Sequence, residues 1–398
     1  MHRSHTSFLQ WASSKFPTFA AHAAFVPTGV VTVLLGPLLP VLSAHWGLND
    51  AQAGYLFTAQ FAASTLGVAV SGFLVSRLGF RFAMIGGLVM MALGTGSLLA
   101  TEWPLGVACV ACYGIGLGLT IPAANLLVAE RNPENRGAAL NLLNFSWSAG
   151  AVSCPFLVAA FQRSIGILPF LHWLAAALIF ISIVIGGMSL VFREDKAFAR
   201  QDSAEPPIVL LKHRFTFILG AMFFLYVGTE NAVGGWSASY AKRISVQPGT
   251  LWAMTPSFFY GALLMGRGVA PLILRGTGET KLARAGLMIS CLGIVALISS
   301  RTMTAVLVSI TITGMGLSSV YPITIAMLSH KFGSAAPRVS ALMFTLGNVG
   351  GATLPWLVGF TSAYFGSLKT GLVVTLVAAL LMLASYSADR RVEAEHAN

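Results

Sequence analysis

Acidic side chains are rare in this sequence, and one of them stands apart by its position. Of the 13 Asp and Glu residues, only Glu230 falls in the interior of a long apolar segment. It lies about three residues past the middle of that segment, or roughly 4–5 Å along a helix. An ionised carboxylate is unfavourable in apolar surroundings, so this group is suited to gaining and losing a proton. Glu230 is therefore the candidate proton-coupling residue, with hydrogen bonding to a solute or to a neighbouring helix as the alternatives.

A second charge, Arg267, also falls inside an apolar segment. Its long aliphatic stem could carry the guanidinium to the membrane surface, and a gating or pairing role is the alternative. The depths of Arg267 and Glu230 differ by roughly 12 Å on straight helices, so the sequence does not predict that they touch.

Amides, hydroxyls and aromatic rings in an otherwise apolar setting are the groups that bind a sugar or another small polar solute. Helical spacing places Asn141, Asn144 and Ser148 on one face, and it places Tyr226 one turn before Glu230. Any of the amides could instead bond a neighbouring helix. The candidate solute-binding residues are Gln60, Asn125, Asn141, Asn144, Trp147, Tyr226, Glu230, Asn231, Trp236, Tyr260, Tyr321 and Asn348.

Motifs for other chemistry are weak or missing. Cys109 and Cys112 have C-x-x-C spacing, but they lie in an apolar segment with no second cysteine or histidine pair, so neither a metal site nor a redox site is expected. No Walker A sequence occurs, which argues against ATP-driven transport by this chain. We expect no catalytic residue, no metal and no cofactor.

The composition indicates whether these residues act in water or in a membrane. The chain is 56% hydrophobic and 9% charged, with a mean hydropathy of +0.78, whereas soluble domains carry about 25% charged residues. A water-soluble enzyme, a disordered chain and a fibrous protein are all excluded. The sequence predicts an all-α membrane protein with many transmembrane helices.

Apolar segments long enough to cross a bilayer occur twelve times, since a helix needs about 20 such residues. They cover residues 19–43, 51–75, 82–101, 105–129, 137–161, 168–192, 215–240, 250–273, 283–300, 303–328, 338–361 and 369–388. A polar segment at 193–214 divides them six and six. The expected domains are a six-helix bundle at 1–192, a cytoplasmic linker at 193–214 and a second six-helix bundle at 215–398.

The distribution of Lys and Arg predicts the orientation. With both termini in the cytoplasm, 18 of the 24 basic residues fall on the cytoplasmic side and five fall outside. This asymmetry follows the positive-inside rule. The net charge of +11 therefore reports topology, and no nucleic-acid partner is expected. The compact loops favour a prokaryotic inner membrane, and we expect a monomer in the lipid bilayer.

The two halves repeat each other at an offset of about 200 residues. The matching positions are Gly114-Ile-Gly116-Leu117 with Gly314-Met-Gly316-Leu317, Pro122 with Pro322, Gly150 with Gly350, and Pro155 with Pro355. A parallel repeat of a six-helix unit is typical of transporters whose halves rock around a solute near the midplane.

Residues 72–81, GFLVSRLGFR, resemble the loop signature of the major facilitator superfamily, with Ser76 where the family usually has Asp. The resemblance covers nearly the whole chain and implies that family's fold, twelve helices in two bundles, and alternating access. It also implies that loop arginines help to close the cytoplasmic side. The candidate gating residues are Arg77, Arg81, Arg136, Arg267 and Arg338.

Two further stretches resemble the fucose–proton symporter branch of that superfamily, which includes glucose permeases. They are residues 32–40, TVLLGPLLP, and residues 226–236, YVGTENAVGGW. Fucose members carry acids in the first and fourth spans, where this sequence has Thr28 and Asn125. The branch's coupling acids therefore cannot be transferred to this chain.

These observations favour a proton-coupled symporter of a small polar solute such as a monosaccharide, with protons and the solute as its partners. A proton-driven efflux antiporter for lipophilic or drug-like compounds is the alternative. The antiporter motif G-x-x-x-G-P-x-x-G-G is incomplete at residues 148–155, SAGAVSCP. A receptor or scaffold built on the same fold is a third possibility, against which the buried acid argues.

Overall fold

The computed structural model describes residues 2–191, 214–245, 249–333 and 336–396. These residues form α-helices joined by short turns, and no strand occurs among them. The helices of the first half are α1 His2–Val33, α2 Leu35–Trp46, α3 Asp50–Leu78, α4 Phe80–Ser97, α5 Trp103–Arg131, α6 Arg136–Ser164 and α7 Ile167–Val191. Those of the second half are α8 Arg214–Ile244, α9 Thr255–Leu274, α10 Glu279–Ser299, α11 Met303–Leu317, α12 Val320–Phe332, α13 Ala336–Phe365 and α14 Leu368–His396.

Twelve stretches of the described helices are long and apolar enough to cross a membrane, from Phe16–Val33 to Leu368–Tyr386. This confirms the predicted all-α class and the number of spans. Several helices extend past the predicted segments, as at Asp50–Leu78, where residues 51–75 were expected. The extensions are polar turns that continue the backbone hydrogen bonds beyond the apolar stretch.

Two of the predicted segments are interrupted by proline. The first is broken between Val33 and Leu35, and the tenth is broken between Leu317 and Val320. A proline ring clashes with the carbonyl four residues earlier. Those carbonyls belong to Val33, before Pro37, and to Ser318, before Pro322, so each helix ends where the clash falls. The predicted first segment, 19–43, is therefore two helices.

The internal repeat has a physical basis in close helix contacts. A Cβ added to Gly150 would overlap the carbonyl oxygen of Val26, and one added to Gly350 would overlap that of Phe224. The two contacts join the fifth span to the first and the eleventh to the seventh, so they are equivalent in the repeat. Only glycine lets helix backbones approach this closely.

A second pair of equivalent contacts lies between the third and fourth spans of each half. The glycines are Gly87 with Gly116 in the first half, and Gly286 with Gly316 in the second. The offset of about 200 residues thus recurs in the packing of the helices as well as in the sequence.

By their mutual contacts the residues group into two units. The first contains Met1–Leu34, Ala62–Leu157 and Ser164–Gln201, and the second contains Leu35–Phe61, Val158–Arg163 and Asp202–Asn398. Residues 35–61 therefore pack with helices of the second half of the sequence. The linker expected at 193–214 lies outside the described residues except for its last residue, and the division into bundles there stays a prediction.

Candidate functional site

Glu230 and Arg267 lie side by side in the second unit. The Nη2 atom of Arg267 is 3.9 Å from Oε1 of Glu230, and the same Nη2 donates a hydrogen bond to the hydroxyl of Tyr226 at 3.3 Å. Tyr226 and Glu230 lie one turn apart on α8, as their spacing predicted. The guanidinium of Arg267 therefore contacts groups of the protein, which is the pairing alternative given by the sequence.

The contact between Glu230 and Arg267 follows from the direction of helical side chains. Each Cα–Cβ bond leans toward the N-terminus of its own helix. Consecutive spans run in opposite directions, so the side chain on α8 and the side chain on α9 lean toward each other. The separation of roughly 12 Å, which applies to straight helix axes, is thereby closed.

Burial makes this pair electrostatically significant. The Glu230 side chain is 13% exposed and that of Arg267 is 28% exposed. Removing one charge of a buried pair leaves the other uncompensated, which is strongly unfavourable. The protonation of Glu230 and the hydrogen bonding of Arg267 are therefore coupled.

Aromatic rings from α8 and α12 flank the charged pair. The rings of Tyr226 and Tyr321 have centroids 5.2 Å apart and are tilted by 31°. Phe223 meets Tyr321 edge-on at 5.5 Å. Tyr321 lies in the first turn of α12, directly after the break that contains Ser319. Such discontinuous helices commonly line solute sites in transporters. We call Glu230, Arg267, Tyr226 and Tyr321 the Glu230 cluster.

The remaining solute-binding candidates of the second unit either bond to backbone carbonyls or are buried or partly buried. Asn231 donates to the carbonyl oxygen of Val227 on its own helix at 2.8 Å. Trp236 is 1% exposed and its Nε1 donates to the carbonyl oxygen of Pro355 at 2.8 Å. Gln60 and Tyr260 are buried, while Asn348 is partly buried.

The first unit brings a different set of polar groups together. Trp147 Nε1 donates to the hydroxyl of Thr32 at 3.2 Å, and Nδ1 of His22 lies 2.8 Å from the hydroxyl of Ser146. Both contacts join α1 to α6. The amides of Asn125 and Asn144 donate to carbonyls of their own helices, and Asn141 is exposed.

Thr32 and Glu230 occupy equivalent positions of the repeat. Val26 and Phe224 make the equivalent glycine contacts, and Thr32 and Glu230 each follow six residues later. The first half thus has a neutral hydroxyl where the second half has an acid.

The loop candidates for gating have different surroundings. Arg77 lies over the ring of Phe73 at 5.7 Å, Arg81 is 9% exposed, and Arg136 is exposed. The side chain of Arg338 lies outside the described residues. Ser76 donates to the carbonyl oxygen of Phe73 at 2.9 Å, within its own helix.

A charged cluster that the sequence did not reveal lies at the end predicted to face outward. Arg243 Nη1 donates to Oδ2 of Asp50 at 2.9 Å, and Nη2 donates to Oδ1. The hydroxyl of Ser362 also donates to Asp50. We call these three residues the outer latch, because they join α3, α8 and α13.

The start of α3 explains why Asp50 is free to form this latch. Asn49 and Gln52 cap the helix reciprocally, each side-chain oxygen accepting from the other's backbone N–H at 2.9 and 3.1 Å. The carboxylate of Asp50 is therefore not needed as a cap. A capping pair beside an acid was the available signal, but spacing could not identify a partner 193 residues away.

Asp50→Asn is expected to loosen the outer latch. The charge pair is partly exposed, with Arg243 47% exposed, so its contribution is about 1 kcal/mol. Labelling of cysteines engineered at the outer ends of α3 and α8 should then rise several-fold. Glu102→Gln, which removes an exposed acid on the same side, is the matched control. The double variant Asp50→Arg with Arg243→Asp should restore low labelling. Unchanged labelling in Asp50→Asn would show that the outer latch does not control access from that side.

Comparisons with known proteins extend over most of the chain. An uncharacterized MFS-type transporter of Yersinia pestis is 24% identical over 373 residues, covering 92% of this chain and 94% of that protein. A glucose/galactose transporter of Brucella abortus is 24% identical over 357 residues, covering 84% and 85%.

Solved structures show the same fold. The nucleoside transporter NupG matches with a TM-score of 0.78 at 11% identity, over 94% of this chain and 99% of that one. The E. coli fucose:proton symporter FucP matches with a TM-score of 0.63 at 18% identity, over 94% and 98%. The sequence profile of the Major Facilitator Superfamily matches residues 22–355, and the chain therefore belongs to this superfamily.

Proposed function

We propose that this chain is a proton-coupled secondary transporter that moves a small polar solute by alternating access, with a monosaccharide as the first class to test. That it is a transporter, and not an enzyme, follows from its family. The observation that carries the finer proposal is the contact of Glu230 with Arg267 beside Tyr226. A carboxylate in the interior of a span is the group that proton coupling requires.

The Glu230 cluster can link a proton to a solute through a change of partners. With Glu230 ionised, its charge compensates that of Arg267. A proton on Glu230 removes this compensation and leaves the guanidinium of Arg267 available to another acceptor. A ligand shifts an equilibrium only by its differential affinity for the two states. Here the two protonation states differ in the hydrogen bonds that they offer.

The relatives support a polar solute. The Brucella protein is named a glucose/galactose transporter, and the structural neighbours include a fucose:proton symporter. In this chain, Tyr321 packs against the buried Tyr226 and is itself partly exposed, so it offers a sugar a ring face and a hydroxyl group.

Large apolar side chains on the outside of the helices support the proposed membrane location. Exposed examples are Phe19, Trp173, Leu292 and Tyr364, which suit contact with lipid. We propose that the protein is a monomer in the cell membrane with both termini in the cytoplasm. The distribution of Lys and Arg supports the orientation.

Uptake into proteoliposomes tests the proposal. With the interior more alkaline than the medium, the protein should concentrate at least one solute from a panel of glucose, galactose, fucose, xylose and the sugar acid glucuronate, and a protonophore should abolish the accumulation. Uptake of the same extent with and without the pH gradient would refute proton coupling. Pumping of lipophilic dyes with no sugar uptake would support the antiporter instead.

A further inference from the structure

The guanidinium of Arg267 has more hydrogen-bonding capacity than its neighbours use. It carries five N–H donors. One bond runs to Tyr226, while Nε is buried without a hydrogen-bond partner among the described residues. The side chain is nevertheless 28% exposed, so its exposed part lies away from Nε. The acceptor inferred for Arg267 lies on that exposed side.

Charge balance indicates what this acceptor is. In the proposed cycle a proton neutralises Glu230, and Arg267 is then a cation inside a span without its counter-charge. Such a charge is strongly unfavourable unless it is paired. A neutral sugar cannot replace the lost negative charge. A carboxylate on the solute can, and its two oxygens match the planar fork of a guanidinium.

The rest of the Glu230 cluster suits a hydroxylated body attached to that carboxylate. Tyr226 and Tyr321 lie beside the guanidinium with their rings 5.2 Å apart. Tyr226 is buried, so the partly exposed Tyr321 supplies the hydroxyl and the ring face that can cover the apolar side of a sugar ring. The carboxylate and the sugar-like body would therefore be recognised by Arg267 and Tyr321 of the same cluster.

We infer that the transported solute is a sugar acid, such as a hexuronate or an aldonate, whose carboxylate pairs with Arg267 when Glu230 is protonated. This rests on the proposed coupling at Glu230 and names the substrate class of the same site. One proton then crosses with one anion, so transport is electroneutral. Symport of a neutral sugar with a proton would move net charge.

Glucuronate and glucose form a matched pair of probes, since they differ only in the carboxylate at C6. In wild-type proteoliposomes, a pH gradient should drive accumulation of glucuronate. A potassium diffusion potential set with valinomycin should not change that accumulation. Uptake of glucose but not glucuronate under the same gradient would overturn the inference while leaving proton coupling intact. Glucuronate accumulation that follows the voltage would also overturn it.

Thermal protection of the purified protein tests the assignment to Arg267 without transport. Glucuronate and gluconate should raise the unfolding temperature more than glucose does, and more strongly at low pH, where Glu230 holds its proton. Glu230→Gln should keep this protection and lose its pH dependence. Arg267→Gln should weaken binding by roughly tenfold or more, the scale of a charged hydrogen bond.

Two further variants keep the test decisive. Arg301→Gln removes an exposed arginine and should bind glucuronate as the wild type does. Arg267→Lys keeps the charge without the planar fork, so it should bind more weakly than the wild type, and it serves in place of Arg267→Gln should that variant not fold. Equal protection by glucose and glucuronate, or undiminished binding in the Arg267 variants, would refute the inference.

Discussion

Glu230→Gln is expected to abolish pH-driven accumulation of solute in proteoliposomes while leaving counterflow exchange measurable. Glutamine keeps the size and most of the hydrogen-bonding capacity of glutamate, but it does not exchange a proton at ordinary pH. Without that proton the gradient has no means of doing work on the solute. Uptake should therefore stop at equal concentrations on the two sides, whatever pH gradient is imposed.

Two controls separate the coupling role of Glu230 from other effects. Glu230→Asp keeps a carboxylate near Arg267 and should retain part of the accumulation. Glu134→Gln removes an exposed acid and should change nothing. A Glu230→Gln protein that still concentrates solute would place coupling elsewhere. Loss of counterflow as well would make Glu230 a solute ligand as much as a proton carrier.

Trp236→Ala is expected to lower the stability of the protein. The ring is fully buried, packs against Phe57 with centroids 6.4 Å apart, and satisfies the carbonyl of Pro355. Removing a buried Trp leaves a cavity and costs about 3 kcal/mol or more. The unfolding temperature in detergent should fall accordingly.

Trp147→Ala is the matched comparison in the first unit. Its ring is partly buried, and one hydrogen bond joins it to Thr32. We expect a small loss of stability and weaker solute binding, since the sequence made Trp147, like Trp236, a solute-binding candidate. Normal stability with weakened binding in Trp236→Ala would show that Trp236 contacts the solute after all.

The twelve spans could be predicted because bilayer thickness imposes a length that hydropathy detects. The interruptions at Val33 and Leu317 could not, since an average over apolar residues is insensitive to a missing hydrogen bond. The signal was present in Pro37 and Pro322, each four residues beyond the carbonyl that it displaces. Other prolines, such as Pro155, lie inside continuous helices, so the residue type alone does not decide.

Glu230 could be found by exclusion, because no other acid falls in a span interior. Its contact with Arg267 was missed, since depths measured along straight axes ignore the lean of side chains toward helix N-termini. The outer latch was missed for a different reason. Asp50 and Arg243 both lie at polar helix ends, where a charge is ordinary and spacing identifies no partner.

Under the proposed coupling, the equivalence of Thr32 and Glu230 determines how many protons accompany each solute. Two acids at these positions would let two protons drive each solute, whereas a threonine and a glutamate provide for one. A pH difference of one unit corresponds to about 1.4 kcal/mol, or a tenfold concentration ratio. With one proton per anion and no net charge moved, a pH gradient of one unit therefore supports about tenfold accumulation. The membrane voltage adds nothing to this ratio.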